Sequence, residues 1–351
     1  MGALTATPDA GSFAPVGGFF EQHEPDDAAN GIGLLEAWTG DRAYAVFVNA
    51  RSAFAALAAT WPEATVWLPA YICSDMADPA FRDRVRFYPV GERFVPDFAG
   101  VEAGMAAGDL VLLVAWFGQP VAPTARAFAD RRPDLVFVED RAQALAPGPA
   151  SGGSWTLYSP RKLLGVADGG VLVAPAGETR VPQPTTSPDS EALWRAPLLR
   201  HADPLGRDNA VWHAANQSKE GAMAVTSQAM TAGSLSILSR TTLASLAGPR
   251  LANWRVLDRT LRRWLALPGD PPVPPLGYVL RLESGARDAL VKGLHADRIF
   301  AAVHWPGIAA PVGDFPRESQ WTREIVTLPC DHRYGEAEMV RMACRVVELL
   351  A

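Results

Sequence analysis

The chain has 351 residues, 48% of them hydrophobic and 20% charged, with a formal net charge of −6. That length can bury a substantial core and fits one large and one smaller domain, and the composition is that of a soluble globular protein. The acidic balance and the absence of a basic stripe exclude a general nucleic-acid binder, and the eight-residue apolar run Leu110–Phe117 is too short to span a bilayer.

Residues 1–42, rich in Gly, Ala, Pro and Asp, read as an N-terminal arm with a short helix around Leu34–Trp38. They show no charged-then-apolar leader, so no secretory signal is expected. From Tyr44 onward, short apolar runs alternate with helical patterns. The expected strands are Ala45–Val48, Thr65–Leu68, Val85–Tyr88, Leu110–Ala115, Leu135–Glu139, Trp155–Tyr158 and Val171–Ala174. The expected helices between them are Ser52–Thr60, Ser74–Arg82, Val101–Ala107 and Thr124–Arg131. Continuous apolar strands alternating with helices predict an α/β domain with a mostly parallel, doubly covered sheet, spanning residues 43–235. Residues 176–192 read as a surface excursion, and 218–264 as helical, with Arg250–Leu265 amphipathic. Beyond the proline-rich stretch 268–275 come strand Tyr278–Leu282, helix Ala286–Leu294, strand Ala301–His304, a loop, strand Ile325–Leu328 and helix Gly335–Leu350. This pattern predicts a smaller α+β domain, drawn over 236–351. Cys73, Cys330 and Cys344 are too few and too scattered for a disulfide framework, and the six histidines lack metal-ligand spacing. A reducing cytoplasm and no metal are the expectations.

The chemistry concentrates around Lys162. The chain has 32 Lys+Arg, yet its only lysines are Lys162, Lys219 and Lys292. Arg cannot replace Lys where a neutral amine must attack a carbonyl, although a lysine in a Gly-flanked turn is also an ordinary surface residue. Asp140 ends an apolar strand, so its carboxylate emerges at the carboxyl edge of the sheet, where ligands bind; a helix N-cap is the alternative. Gln143 lies one helical turn further on. Lys162 follows Asp140 by 22 positions with strand Trp155–Tyr158 between, which brings both side chains to one sheet edge. Ser159 and the segment Asn49-Ala50-Arg51-Ser52 could bind phosphate, the latter at a helix N-terminus, where Ser52 also reads as a plain cap. Gly169-Gly170 permits a tight turn into the next strand and reads equally as a simple hairpin. A lysine, an acid for a ring nitrogen and phosphate donors are what pyridoxal 5'-phosphate (PLP) asks of a protein.

In order and spacing, five segments resemble the DegT/DnrJ/EryC1/StrS family, the sugar aminotransferase branch of fold-type I PLP-dependent transferases. They are Leu68-Pro69-Ala70-Tyr71, Trp116-Phe117-Gly118-Gln119-Pro120, Glu139-Asp140-Arg141-Ala142-Gln143, Lys162 with Asp168-Gly169-Gly170, and Ala302-Val303-His304-Trp305 with Val326-Thr327-Leu328-Pro329. The resemblance covers about residues 44–350. It implies PLP held as an imine on Lys162, Asp140 at the pyridinium nitrogen and Gln143 near the ring oxygen. Arg51 and Ser52 fall where the family binds the phosphate, and Ser159 falls at the position of the family's His. Cys73 stands where the family stacks an aromatic ring, with Tyr71 the alternative, and Asn216 stands near a cross-subunit Asn. His304 is expected to face the substrate side of the cleft, although a structural histidine fits the same position. The implied activity is amino transfer from an amino acid, Glu or Gln, to a keto substrate, a nucleotide-linked sugar, by a homodimer. Another PLP reaction, elimination or condensation, and a non-catalytic regulator are the alternatives. Leu157 occupies the position of the family's usual phosphate-binding Ser, so the chain reads as a divergent member.

Overall fold

The computed structural model describes residues 14–26, 31–146, 148–151, 153–267, 269–283 and 285–351. The expected N-terminal arm therefore lies in part, over 1–13 and 27–30, outside the described residues, as does the start of the proline-rich boundary at residue 268. In chain order the strands are β1 Val16–Gly17, β2 Tyr44–Phe47, β3 Val66–Pro69, β4 Val85–Tyr88, β5 Val90–Gly91, β6 Val95–Pro96, β7 Leu110–Val114, β8 Val136–Asp140, β9 Trp155–Tyr158, β10 Gly170–Val173, β11 Gly277–Arg281, β12 Ile299–Phe300 and β13 Ile325–Pro329. The helices are α1 Leu34–Thr39, α2 Ala50–Ala58, α3 Pro123–Arg131, α4 Ser190–Ala202, α5 Asn209–Ala222, α6 Ala232–Arg240, α7 Leu243–Leu261, α8 Ala286–Ala296, α9 Pro316–Glu324 and α10 Glu336–Leu350.

Seven strands form the central sheet in the order β2-β10-β9-β8-β7-β3-β4. β4, β3, β7, β8 and β9 run parallel, and β10 is antiparallel to both its neighbours. The continuous apolar runs that predict a doubly covered sheet are explained by its two cores. Leu110, Leu112 and Val114 of β7 face Phe54 and Leu57 of α2, whereas Val111 and Leu113 face Phe98 and Phe128. Alternate residues of a strand point to opposite faces, so a strand buried on both sides must be apolar throughout. A second core gathers Trp254, Leu257, Tyr278, Leu290, Val326, Met342 and Val346 around the antiparallel pair β11–β13. The N-terminal segment joins it, because β1 pairs in parallel with β12 and Val16 is buried there.

Several elements differ from the sequence reading. The stretch expected as helix Ser74–Arg82 forms two separate 3-10 turns, Ser74–Met76 and Arg82–Arg84, because Pro79 cannot donate the hydrogen bond that would join them. The helix expected at Val101–Ala107 shrinks to one turn, Glu102–Gly104. β12 ends at Phe300, and only Ala302 of the strand expected at Ala301–His304 makes a bridge, to Thr327. The loop expected before β13 contains α9. The boundary drawn between 235 and 236 falls inside α6. Packing changes partners later, along α7, where Leu246 joins the α1 and α6 core and Trp254 joins the β11–β13 core. Among the described residues no helix is long and apolar enough to cross a membrane.

Candidate active site

Register fixes the first relationship. Asp140 at the carboxyl end of β8 pairs with Leu157 of β9, and five residues on, across the 3-10 turn Pro160–Lys162, lies Lys162. The carboxylate of Asp140 is buried and accepts a hydrogen bond from the Ala142 N–H at 2.8 Å. Burial pushes its pKa above the usual carboxylate range, opposed first by the positive charge of Lys162. The Lys162 amine is in turn pushed below its ordinary value, chiefly by burial; Asp140 opposes the shift and Arg161 adds to it. Two ionisable groups thus sit within electrostatic reach in a poorly solvated place, each shifted by burial toward its neutral form.

The turn that carries Lys162 requires its glycines. A Cβ on Gly169 would lie 2.5 Å from the Pro160 ring, and one on Gly170 2.3 Å from the backbone of Asn49. β10 can therefore press against the start of α2 and the lysine turn only without side chains there. Asp168 anchors the same turn. Buried, it accepts hydrogen bonds from the Thr231 N–H at 2.8 Å, the Thr231 hydroxyl at 2.7 Å and the Ser234 hydroxyl.

Gln143 accepts from the Phe117 N–H at 2.7 Å through Oε1, while its buried Nε2 has no hydrogen-bond partner among the described residues. An amide donor sealed from water without an acceptor is costly, so an acceptor supplied from outside the chain fits it. Ser159 is buried at the start of the lysine turn. At the head of α2, the Asn49 side chain caps the Ser52 N–H at 2.8 Å, and the Ser52 hydroxyl accepts from the Thr226 N–H at 3.0 Å. Arg51 pairs with Asp75 at 2.7 Å and donates to the Met223 carbonyl at 2.6 Å. These two residues are engaged by the chain itself. Tyr71 is fully buried, its hydroxyl donates to the His304 carbonyl, and its ring meets Trp305 and Trp321 edge-on at 5.3 and 5.2 Å. Cys73, whose thiol burial pushes up, feels the charge of Lys162.

A cavity of about 600 Å³ opens beside the lysine. Lys162, Asn216 and His304 line it; Asp140, Gln143, Ser159, Arg51, Ser52, Tyr71 and Cys73 do not. His304 Nδ1 lies 2.9 Å from the Thr327 hydroxyl, and burial, then the charge of Lys162, hold its pKa down to about 3, so the ring is neutral at pH 7. Asn216 reaches the cavity of its own chain from α5, and its buried Oδ1 has no partner among the described residues. Much of the rest of the wall is apolar, including Phe19, Phe20, Trp212 and Phe300. The arm residues Gly17–Phe20 close one side. Arg200 holds them by donating to the Gly17 carbonyl at 2.9 Å and to the Phe19 carbonyl. Sequence reasoning missed this wall, because a Gly- and Phe-containing arm carries no periodicity to fix its docking. It also passed over Arg161, which stood in view inside the lysine motif.

No family model and no curated protein matches the chain. Solved structures do. The 3-amino-5-hydroxybenzoic acid synthase superposes with a TM-score of 0.63 at 21% identity, over 96% of this chain and 99% of that one. A DegT DnrJ EryC1 StrS aminotransferase from Brucella abortus gives 0.61 at 16%, over 90% and 87%. DesI, solved in the presence of its TDP-sugar product, gives 0.59 at 17%, over 89% and 81%. The chain thus has the α/β fold of these proteins, along nearly its whole length.

Proposed function

We propose that the protein is a PLP-dependent aminotransferase of the DegT/DnrJ/EryC1/StrS type, which moves the amino group of an amino acid to a keto substrate. The observation that carries this reading is that Lys162 and Asp140 lie within electrostatic reach at the carboxyl edge of the sheet, each shifted by burial, in a fold shared with aminotransferases. The residues fit the cofactor at its ring end. Lys162 would hold it covalently, Asp140 would accept from its ring nitrogen, and the unpartnered Nε2 of Gln143 would donate to its ring oxygen. Ser159, Arg51 and Ser52 are the residues proposed for its phosphate, with Arg51 and Ser52 exchanging the internal partners described above. Cys73 is preferred over Tyr71 as the residue against the ring face, since Cys73 lies within electrostatic reach of Lys162 and Tyr71 is sealed among aromatic rings. When bound, PLP supplies an electron-withdrawing ring that stabilises negative charge at the reacting carbon. Lys162 Nζ, biased toward its neutral form, would take and return the proton there. Neutral His304, with Asn216, would orient the substrate from the cavity wall.

The acceptor proposed is a nucleotide-linked sugar and the donor Glu or Gln. Of the related folds, one is a synthase of 3-amino-5-hydroxybenzoic acid and another was solved with its TDP-sugar product, so the acceptor must be found by assay. A cytoplasmic homodimer completes the reading, with sizing by light scattering as its check. Borohydride treatment of protein saturated with PLP should fix the cofactor on Lys162, located by peptide mapping. Incubation with amino acids should yield the 2-oxo acid stoichiometrically. Asp140→Asn should fold and lose on the order of 100-fold in turnover, about 3 kcal/mol. Label on Lys219 or Lys292, or near-native turnover in Asp140→Asn, would refute the assignment. Amino acid consumption without its 2-oxo acid would favour elimination or condensation instead.

A further inference from the structure

Arginine lines the cavity three times, and the three differ in what they have left to offer. Arg200 donates to the Gly17 and Phe19 carbonyls and pairs with Glu21 at 3.1 Å. Arg333 pairs with Asp331 at 2.8 Å and with Glu21 at 3.0 Å. Among the described residues Arg161 has one anchor: its Nη1 lies 2.6 Å from Oε1 of Glu220 on α5. That oxygen is shared with Lys219, whose Nζ is 3.9 Å away and which also feels the charge of Asp168. The Nε of Arg161 is shielded from water and has no hydrogen-bond partner among the described residues. Arg126 and Arg250 also have an unpartnered Nε, but neither lines the cavity.

A guanidinium offers its Nε and Nη2 hydrogens as a planar fork that matches a carboxylate. With Nη1 held by Glu220, that edge is the one left for a ligand. Asn216 stands one helical turn before Glu220 on α5, lines the same cavity, and leaves its buried Oδ1 without a donor. A missing anion and a missing donor, both beside Lys162, are complementary to an α-amino acid.

We propose that Arg161 is the carboxylate anchor of the cavity, its Nε–Nη2 edge receiving the α-carboxylate of the amino acid that reacts at Lys162, with Asn216 Oδ1 accepting from the amino group. The proposal rests on the aminotransferase reading and names the residue that selects the donor. Leaving the buried Nε of Arg161 and the buried amide oxygen of Asn216 unpaired is unfavourable, and one ligand carrying both complementary groups removes both penalties.

The test uses cofactor-free protein and calorimetric titration with L-glutamate, L-glutamine and the α-amide of each, in which the α-carboxylate is replaced by a neutral group. Wild-type protein should prefer at least one free acid over its amide by tenfold or more. Arg161→Ala should abolish the preference, and Arg161→Lys, which keeps the charge without the fork, should retain part of it. Circular dichroism establishes that the variants fold. A preference that survives in folded Arg161→Ala overturns the proposal, as does the absence of any preference in wild type. PLP content, read by absorbance after reloading, separates a second anion. If Arg161→Ala fails to take up PLP while the preference persists, the arginine serves the cofactor's phosphate and the proposal falls. In the loaded enzyme, the KM for the amino acid should rise tenfold or more with kcat changed less than threefold. A rise confined to the KM of the ketone would assign the carboxylate to the acceptor and overturn the proposal. Wild-type protein that takes up no PLP, yet shows the binding preference and its loss in Arg161→Ala, would refute the aminotransferase reading and leave the anchor standing.

Discussion

Single side chains around the lysine turn carry separable loads. Asp168 touches no part of the cavity wall, yet it collects three donors from the start of α6. Asp168→Asn replaces one acceptor oxygen by a donor that faces other donors. We expect a loss of about 1–3 kcal/mol in urea unfolding, with the Lys162 chemistry intact once the protein is folded. A stability within a few tenths of wild type would show that the hydroxyls of Thr231 and Ser234 simply reorient. The histidines set a second expectation. His304 and His332 are both held to about pKa 3, in each case first by burial. Unfolded, each would titrate near 6.5, so between pH 6.5 and 3 the unfolded chain binds protons that the folded chain refuses. Stability must therefore rise with pH across that window and fall on acidification. Asp331, whose carboxyl is held low against burial by Arg333, acts in the same direction below about pH 4. Urea midpoints measured from pH 7 to pH 4 should decline, less steeply because the raised carboxyls of Asp140 and Asp168 oppose the histidines, and a rise on acidification would contradict the buried, neutral state of these rings.

At the scale of elements, the junction of β10 with α2 is the least tolerant seam near the site. Gly170→Ala puts a Cβ 2.3 Å from the Asn49 backbone and should cost about 3 kcal/mol or more, the upper end for overpacking. Gly221, exposed within α5 with nothing within 4 Å of its missing Cβ, is the control. There Ala should stabilise by up to about 1 kcal/mol. Thermal unfolding of the two variants reads opposite signs if the packing is as described. The central strands were legible in the sequence because burial on both faces forces an unbroken apolar run, as in Leu110–Val114. So was Asp140 beside Lys162, since strand ends and 22 residues of spacing determine a shared edge. α9 was not. Its nine residues are polar except Pro316 and Trp321, and what holds it is tertiary, notably Glu318 accepting from the Val90 N–H at 2.6 Å. Pro316 at its first turn was the available signal. The second half of Ser74–Arg82 misled in the opposite way, because its apolar spacing suited a helix that Pro79 forbids. Which head groups of α2 are left free was also illegible, since Thr226 and Met223, which occupy Ser52 and Arg51, lie over 170 residues away.

Over the whole molecule, the arm ties three regions together. Gly17 donates to the Tyr334 hydroxyl at 2.7 Å, β1 lies along β12, and Arg200 on α4 grips the Gly17 and Phe19 carbonyls while stacking near Phe19 and Trp212. Arg200→Ala should raise hydrogen exchange of the amides of residues 16–20 at least tenfold while the β7 and β8 amides stay protected. Equal exchange in both proteins would show that β1–β12 pairing alone secures the arm.

The same arm imposes an order on biosynthesis. Val16 and Gly17 leave the ribosome nearly 300 residues before their partners Ile299 and Phe300, and Tyr334 follows later still. The seven-stranded sheet, complete at Val173, can assemble with Lys162 and Asp140 already at its edge while half of the chain is still unmade. During that interval the lysine turn lacks the Thr231 and Ser234 donors that anchor Asp168, and the cavity beside it lacks the residues of α4, α5 and β13. Until Tyr334 emerges, Phe19 and Phe20 have no complete seat, and the earliest-made wall is the last to close.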